Sequence, residues 1–254
     1  MEGKLVANAF ARLAKKDSLD EYAATRVQAA IEANEKIVDG LGFCLSEDGD
    51  LLSQWRGYAA DATGVAIGFS VEYLNKLSEK SLSQMKPGFT LQKVEYESTA
   101  HEARVEPTYR EIKRLIAAGA LKQTTLLGLM IRGNEEEAKK EEAAIQQARA
   151  ELPLNLIALF PELYRLKAYA FREEREWRLL SYLIKNGEDV CSHRASGDRI
   201  IPYREITFSA IEGTPIVDVI LGPKHATPPK VVENFLKQNG YGDIPIRRSE
   251  ASYR

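Results

Sequence analysis

Apolar and polar positions follow two periods along the chain, and the switches between them set the predicted elements. Ser18-Leu19-Asp20-Glu21 has capping-box spacing and predicts a helix to about Val38 that stops at Gly40. Gly42 to Leu45 is a short apolar run read as a strand, Glu47-Asp48-Gly49-Asp50 a turn, and Leu51 to Tyr58 a short helix. After a turn at 61–64, Gly64 to Phe69 reads as a buried strand. Glu72 to Leu82 is helical, Phe89 to Tyr96 alternates as a strand, and Tyr109 to Met130 returns to helical spacing. Asn134 is placed to cap Glu135-Glu136-Glu137, and Glu135 and Glu136 stand four residues before Lys139 and Lys140. That helix reads as polar almost all round, a solvated face and not a binding tail. Leu154 to Tyr169 is a further helical stretch broken at Pro161. Trp177 to Ile184 reads as a strand, with weaker candidates at 200–202 and 206–208.

The C-terminal third is the clearest. Ile216 to Leu221 is a buried strand, Gly222-Pro223 turns it, Pro228 and Pro229 suit a first helical turn, and the helix stops near Asn239-Gly240 before Ile244-Pro245-Ile246. Strand, helix, strand predicts a βαβ unit. The pattern gives an α+β fold: a central mixed sheet, holding 43–46, 64–69, 177–184 and 216–221, with a helical insertion in the middle. A single domain over 1–254 with a helical subdomain at about 100–165 is the expected organisation.

Composition changes this picture little. Of 254 residues, 44% are apolar and 28% charged, enough for a sizeable core. Net charge is −2, which argues against a general nucleic-acid binder. No apolar run spans a bilayer and the start shows no signal-peptide core, so no membrane partner and a cytoplasmic location are expected. Cys44 and Cys191 are too few for a disulfide framework and read as buried or half-buried thiols. The three histidines lie far apart, and no metal is expected.

Candidate chemistry gathers at the two tryptophans, each followed by arginine: Trp55-Arg56 and Trp177-Arg178. An aromatic face beside a guanidinium can hold a base and a phosphate. The plainer reading is a core-edge tryptophan and a carboxylate-paired arginine. Glu174, Glu176 and Arg178 would share one strand face, where two carboxylates can polarise a sugar hydroxyl; a solvated run of alternating charge is the plainer alternative. Gly222-Pro223-Lys224-His225 reads as an ordinary strand-to-helix turn, because it lacks the glycine pattern of a phosphate loop.

Phe43 to Ala59 followed by Gly64 to Phe69, then Lys167 and Phe171 before Glu174 to Arg178, then Ile220 to Pro223 and Ser249 to Arg254, resemble the successive signature blocks of a bacterial family catalogued as domain of unknown function 2971. The family name implies no activity. Members begin with a Tyr-rich strand, a helix and an Asn-Asp-Pro-like turn, a segment this chain is expected to lack.

Two readings stay open. The order of features is similar to ADP-ribosyltransferases, which would make Glu176, or Glu174, the carboxylate that steadies an oxocarbenium-like ribose. Ser46 and Tyr58 would border a nicotinamide pocket beside Trp55 and Trp177, Arg56 and Arg178 would hold phosphates, and NAD or another nucleotide would be the ligand. In the second reading the same residues form a structural network in a non-catalytic interaction or sensor module. Its protein partner would dock on the helical middle, and stress or phage defence suits either reading.

Overall fold

The computed structural model describes residues 3–34, 36–83, 88–122, 135–184, 191–208 and 211–253. Its helices are α1 (Gly3–Lys16), α2 (Glu21–Asn34), α3 (Leu52–Tyr58), α4 (Val71–Ser83), α5 (Ser98–Ala117), α6 (Glu135–Ile157), α7 (Phe160–Leu163) and α8 (Pro229–Gln238), with a 3₁₀ segment at Tyr169–Glu174. Its strands are β1 (Val38–Ser46), β2 (Val65–Phe69), β3 (Thr90–Lys93), β4 (Glu176–Ile184), β5 (Ser192–Ser196), β6 (Arg199–Tyr203), β7 (Ile216–Leu221) and β8 (Ile246–Arg248). The chain divides into two compact units.

Unit 1 comprises Met1–Asp39, Val94–Ala170 and Leu183–Glu188. It is built on α1, an element without a cap signal in the sequence and absent from the expected set. Val6, Ala9, Phe10, Leu13 and Ala14 recur at helical spacing and are all buried. The second helix is capped by Asp20 instead of Ser18: the Asp20 carboxylate accepts the Ala23 N–H at 2.9 Å, and Ser18 sits at φ +50°. It ends at Asn34, and Val38 to Gly40 open β1 instead. α5 starts at Ser98, well before the expected Tyr109, and continues through Pro107 because His101, Val105, Tyr109, Ile112 and Leu115 keep one buried stripe on both sides of it. The expected continuation over 123–130 and the Asn134 cap lie outside the described residues. The exception to the polar surface of α6 is one side, where Ile145, Ala148 and Leu152 are buried. The Phe10 ring meets Tyr109 edge-on at 5.3 Å. The Tyr109 hydroxyl donates to Asp17 at 3.0 Å, and burial together with that carboxylate pushes its pKa to about 12.

Unit 2 comprises Gly40–Lys93, Phe171–Tyr182 and Asp189–Arg254. The α+β class holds, as do the mixed sheet and the C-terminal βαβ unit: in the order β2-β7-β8, β2 runs antiparallel to β7 and β8 parallel to it, with α8 as crossover. The expectation of one sheet for all four apolar runs is corrected, because β1 and β4 belong to a second sheet, β1-β4-β3. Short apolar runs identify buried strands but carry no information about which strand pairs with which. β5 and β6 form a separate hairpin. Residues 206–208 form no strand; Ile206 and Phe208 instead pack with Tyr73, Leu74 and Phe89.

Between α3 and β2 the chain makes a left-handed turn. Ala60, Asp61 and Ala62 have φ of +47°, +55° and +70°. Such backbone costs roughly 1–2 kcal/mol per non-glycine residue, and neighbouring bonds offset it: Ala62 N–H to Trp55 O at 2.9 Å, Lys224 N–H to Ala62 O at 3.0 Å, and Gly222 N–H to Gly64 O at 3.0 Å. Position 222 must be glycine, since a Cβ there would stand 2.4 Å from the Ala62 carbonyl oxygen. The Gly222–His225 amides thus serve the turn, as an ordinary connection would.

Candidate functional site

The turn after β1 is fixed by its own polar residues. The Ser46 hydroxyl donates to the Glu174 carbonyl at 2.9 Å and accepts the Asp48 N–H at 3.2 Å; the Asp50 N–H donates to Asp48 at 3.0 Å. Glu47 N–H then bonds the Arg175 carbonyl at 3.1 Å, tying the turn to the segment before β4. The turn forms one rim of a cavity of about 900 Å³ that lies wholly within unit 2. Its walls come from β1, α3, β2 and β4, and include Phe43, Trp55, Tyr58, Phe69 and Trp177.

The predicted site residues divide at this cavity. Ser46, Trp55, Tyr58 and Trp177 line it; among the described residues the lining does not include Arg56, Glu174, Glu176 or Arg178. Strand alternation explains part of the split. On β4, Trp177 faces the cavity, while Glu176 and Arg178 face the other way and are buried at 5% and 7% exposure. There the Arg178 guanidinium donates to both Glu176 oxygens, at 2.7 and 3.0 Å. Glu174 is not on the strand with them but at the end of the 3₁₀ segment, and meets Ser46 through its backbone carbonyl. Arg56 is exposed and lies over the Tyr253 ring at 5.2 Å.

Three charged residues not singled out in the sequence organise the cavity. Glu47 accepts from Lys93 at 2.6 Å and from the Trp177 indole at 2.8 Å, and these bonds hold its carboxyl below the ordinary glutamate value. Asp50 accepts the Trp55 indole N–H at 2.7 Å and the Glu250 N–H at 2.7 Å, and is bonded to the Ser249 hydroxyl. Burial pushes the Asp50 carboxyl up, but Ser249, the Glu250 N–H, Trp55 and Arg247 together outweigh it and leave it lowered. Arg247, in the lining, stands 3.7 Å from Asp50 and 3.5 Å from Asp218. The signal for Asp50 was present in the sequence: an aspartate at a turn, five residues before a tryptophan with an indole N–H to satisfy. Cys44 is exposed and in the lining, against the expected buried or half-buried thiol, and Cys191 is half-buried.

A family model described as a protein of unknown function (DUF2971) matches residues 54–179. The chain resembles that family. The matched stretch holds Trp55, Arg56, Tyr58 and the block around Trp177, whereas the DUF2971-like blocks at 43–53, 220–223 and 249–254 lie outside it. No curated protein and no solved structure matches the chain. Among the described residues no helix is long and apolar enough to cross a membrane, and no cluster of three His, Cys, Asp or Glu side chains is placed to hold a metal ion.

Proposed function

We propose that unit 2 is a binding module for a nucleoside-class ligand, NAD among the candidates, held with its flat heteroaromatic ring against the aromatic walls of the cavity. One observation carries this reading: Trp55, Tyr58 and Trp177, from two separate elements, line the same cavity of about 900 Å³. That volume falls within the ~300–1,000 Å³ range of small-molecule sites. Aromatic faces hold flat rings with little ordering cost, because each carries only two side-chain torsions. Lysine and arginine partners stand beside the carboxylates of the rim, Lys93 at Glu47 and Arg247 at Asp218, which suits a ligand with polar hydroxyls better than a highly charged one.

Binding without chemistry is the part of the reading the geometry supports best. For Glu176 to act on a ribose, its bidentate pair with Arg178 would have to open, and breaking a buried pair costs about 3–5 kcal/mol. The test is a thermal-shift series with NAD, adenosine and nicotinamide riboside. A probe at a hundredfold its Kd should add about 2.7 kcal/mol of stability, and Tyr58→Ala, an exposed wall residue, should remove most of that gain without lowering the unliganded Tm. A series in which no nucleoside or nucleotide moves the Tm would sink the reading.

A further inference from the structure

We propose that the cavity selects ligands carrying an amide edge, an N–H donor beside a C=O acceptor, through the open backbone edge of β2; this rests on the nucleoside reading above. Among the described residues β2 is the outer strand of its sheet, with β7 on one side only. Which of its backbone groups face outward follows from the ladder. In an antiparallel pair, hydrogen-bonded positions alternate with positions whose N–H and C=O point away from the partner. The Gly222 N–H bonds the Gly64 carbonyl at 3.0 Å, so Gly64 faces β7. Two residues on, Ala66 opposite Ile220 and Gly68 opposite Asp218 face β7 as well. Val65 and Ile67 therefore point their N–H and C=O outward.

Two bonds on the far side of β7 support this phase independently. Val219, opposite Ile67, donates its N–H to Pro245 O at 3.0 Å; Leu221, opposite Val65, accepts the Ser249 N–H at 2.8 Å. Both residues thus turn their backbone toward the β8 side and away from β2. Val65 and Ile67 line the cavity, at 41% and 46% exposure. Each presents one acceptor and one donor side by side along the open edge of β2.

The complement of such a pair is a group with a donor and an acceptor side by side: a primary carboxamide or the lactam edge of a base. A carboxylate supplies acceptors only and would set an oxygen against the strand carbonyl. An analogue without the amide leaves the edge unpaired on closure, which in a site built to bond a polar group is what discriminates.

The experiment compares affinities within two probe pairs by calorimetry: nicotinamide riboside against nicotinic acid riboside, and inosine against purine riboside. The amide-bearing member of at least one pair should bind ~10-fold tighter or more, which corresponds to about 1.4 kcal/mol, and the pair that responds separates a carboxamide from a lactam. Proline tests the edge itself. It removes one N–H and is tolerated on an edge strand where that N–H faces outward. Val65→Pro or Ile67→Pro should therefore keep the fold and abolish the discrimination, whereas Ala66→Pro should unfold the sheet. Equal binding within both pairs overturns the amide-edge inference and leaves the nucleoside reading standing; no binding by any probe overturns both. Unfolding of Val65→Pro and Ile67→Pro alike, as for Ala66→Pro, overturns the assigned phase.

Discussion

Unit 1 and unit 2 use their apolar residues in different ways. Unit 1 gathers Phe10, Ile31, Ile112, Leu159 and Leu166 into one continuous core between helices. Unit 2 divides its apolar residues among three smaller clusters, around Tyr73, Trp55 and Val219, and leaves a cavity beside two of them. A single continuous core packs the helices of unit 1 against one another. Small clusters on two three-stranded sheets leave edges, gaps and polar turns, and the candidate chemistry of this chain lies there. Unit 2 therefore depends on a few polar contacts, unit 1 on many apolar ones.

The sharpest way to break that contrast is to remove one contact of each kind. Glu176→Ala should destabilise the protein by about 3–5 kcal/mol in urea unfolding, because it removes one partner of a buried, bidentate ion pair. Replacing both partners by methionine should recover most of the loss. Phe10→Ala should cost a similar 3–5 kcal/mol, from lost burial and a cavity inside a helical core that cannot collapse around it. If recovery by the double substitution fails, the pair has a role beyond filling space.

Acid and alkali should also act through different groups. Glu47 and Asp50 in unit 2 have lowered folded values. Their contribution is present above the unfolded carboxylate range of about 3.9–4.3 and is lost as pH falls through the folded values. Tyr109 in unit 1 is raised, so its contribution is full below about 10 and is lost as pH climbs through about 12. Denaturant midpoints measured at both extremes check the two signs. Tyr109→Phe should flatten the alkaline limb and, because its hydroxyl is one of the bonds that lower the Asp17 carboxyl, also weaken the acid limb slightly.

The smallest expected effect concerns the left-handed turn. Ala60→Gly should stabilise the protein by about 1 kcal/mol, since the exposed Ala60 has φ +47° and glycine adopts that backbone freely. A loss of stability would mean that the unfolded chain gains more freedom from the glycine than the turn gains relief.

Much of unit 2 was legible in the sequence. β2, β7, α3 and α8 announce themselves because apolar runs of strand length, a proline at a helix start and an Asn-Gly stop each have a local cause. Strand pairing was not legible, since it depends on register between distant segments, and so two sheets read as one. The aromatic candidates stand out in the sequence because tryptophan is rare here, and Trp55, Tyr58 and Trp177 line the cavity. Glu176 and Arg178 alternate with Trp177 on one strand, and that alternation already puts them on the face away from it. α1 was missed for want of a cap signal, although its stripe from Val6 to Ala14 has the helical period.

The placement of the two tryptophans also makes the chain its own optical reporter. Both line the cavity, and both belong to unit 2. Trp55 is 2% exposed and bonded to Asp50, so it should emit to the blue; Trp177 is only half-buried and should emit to the red. Quenching by a ring bound between them would need no label, and Trp55→Phe and Trp177→Phe would assign each component. Far-UV dichroism, dominated by the long helices of unit 1, would follow the other half of the chain in the same cuvette, so one sample would report whether the two halves melt together or apart.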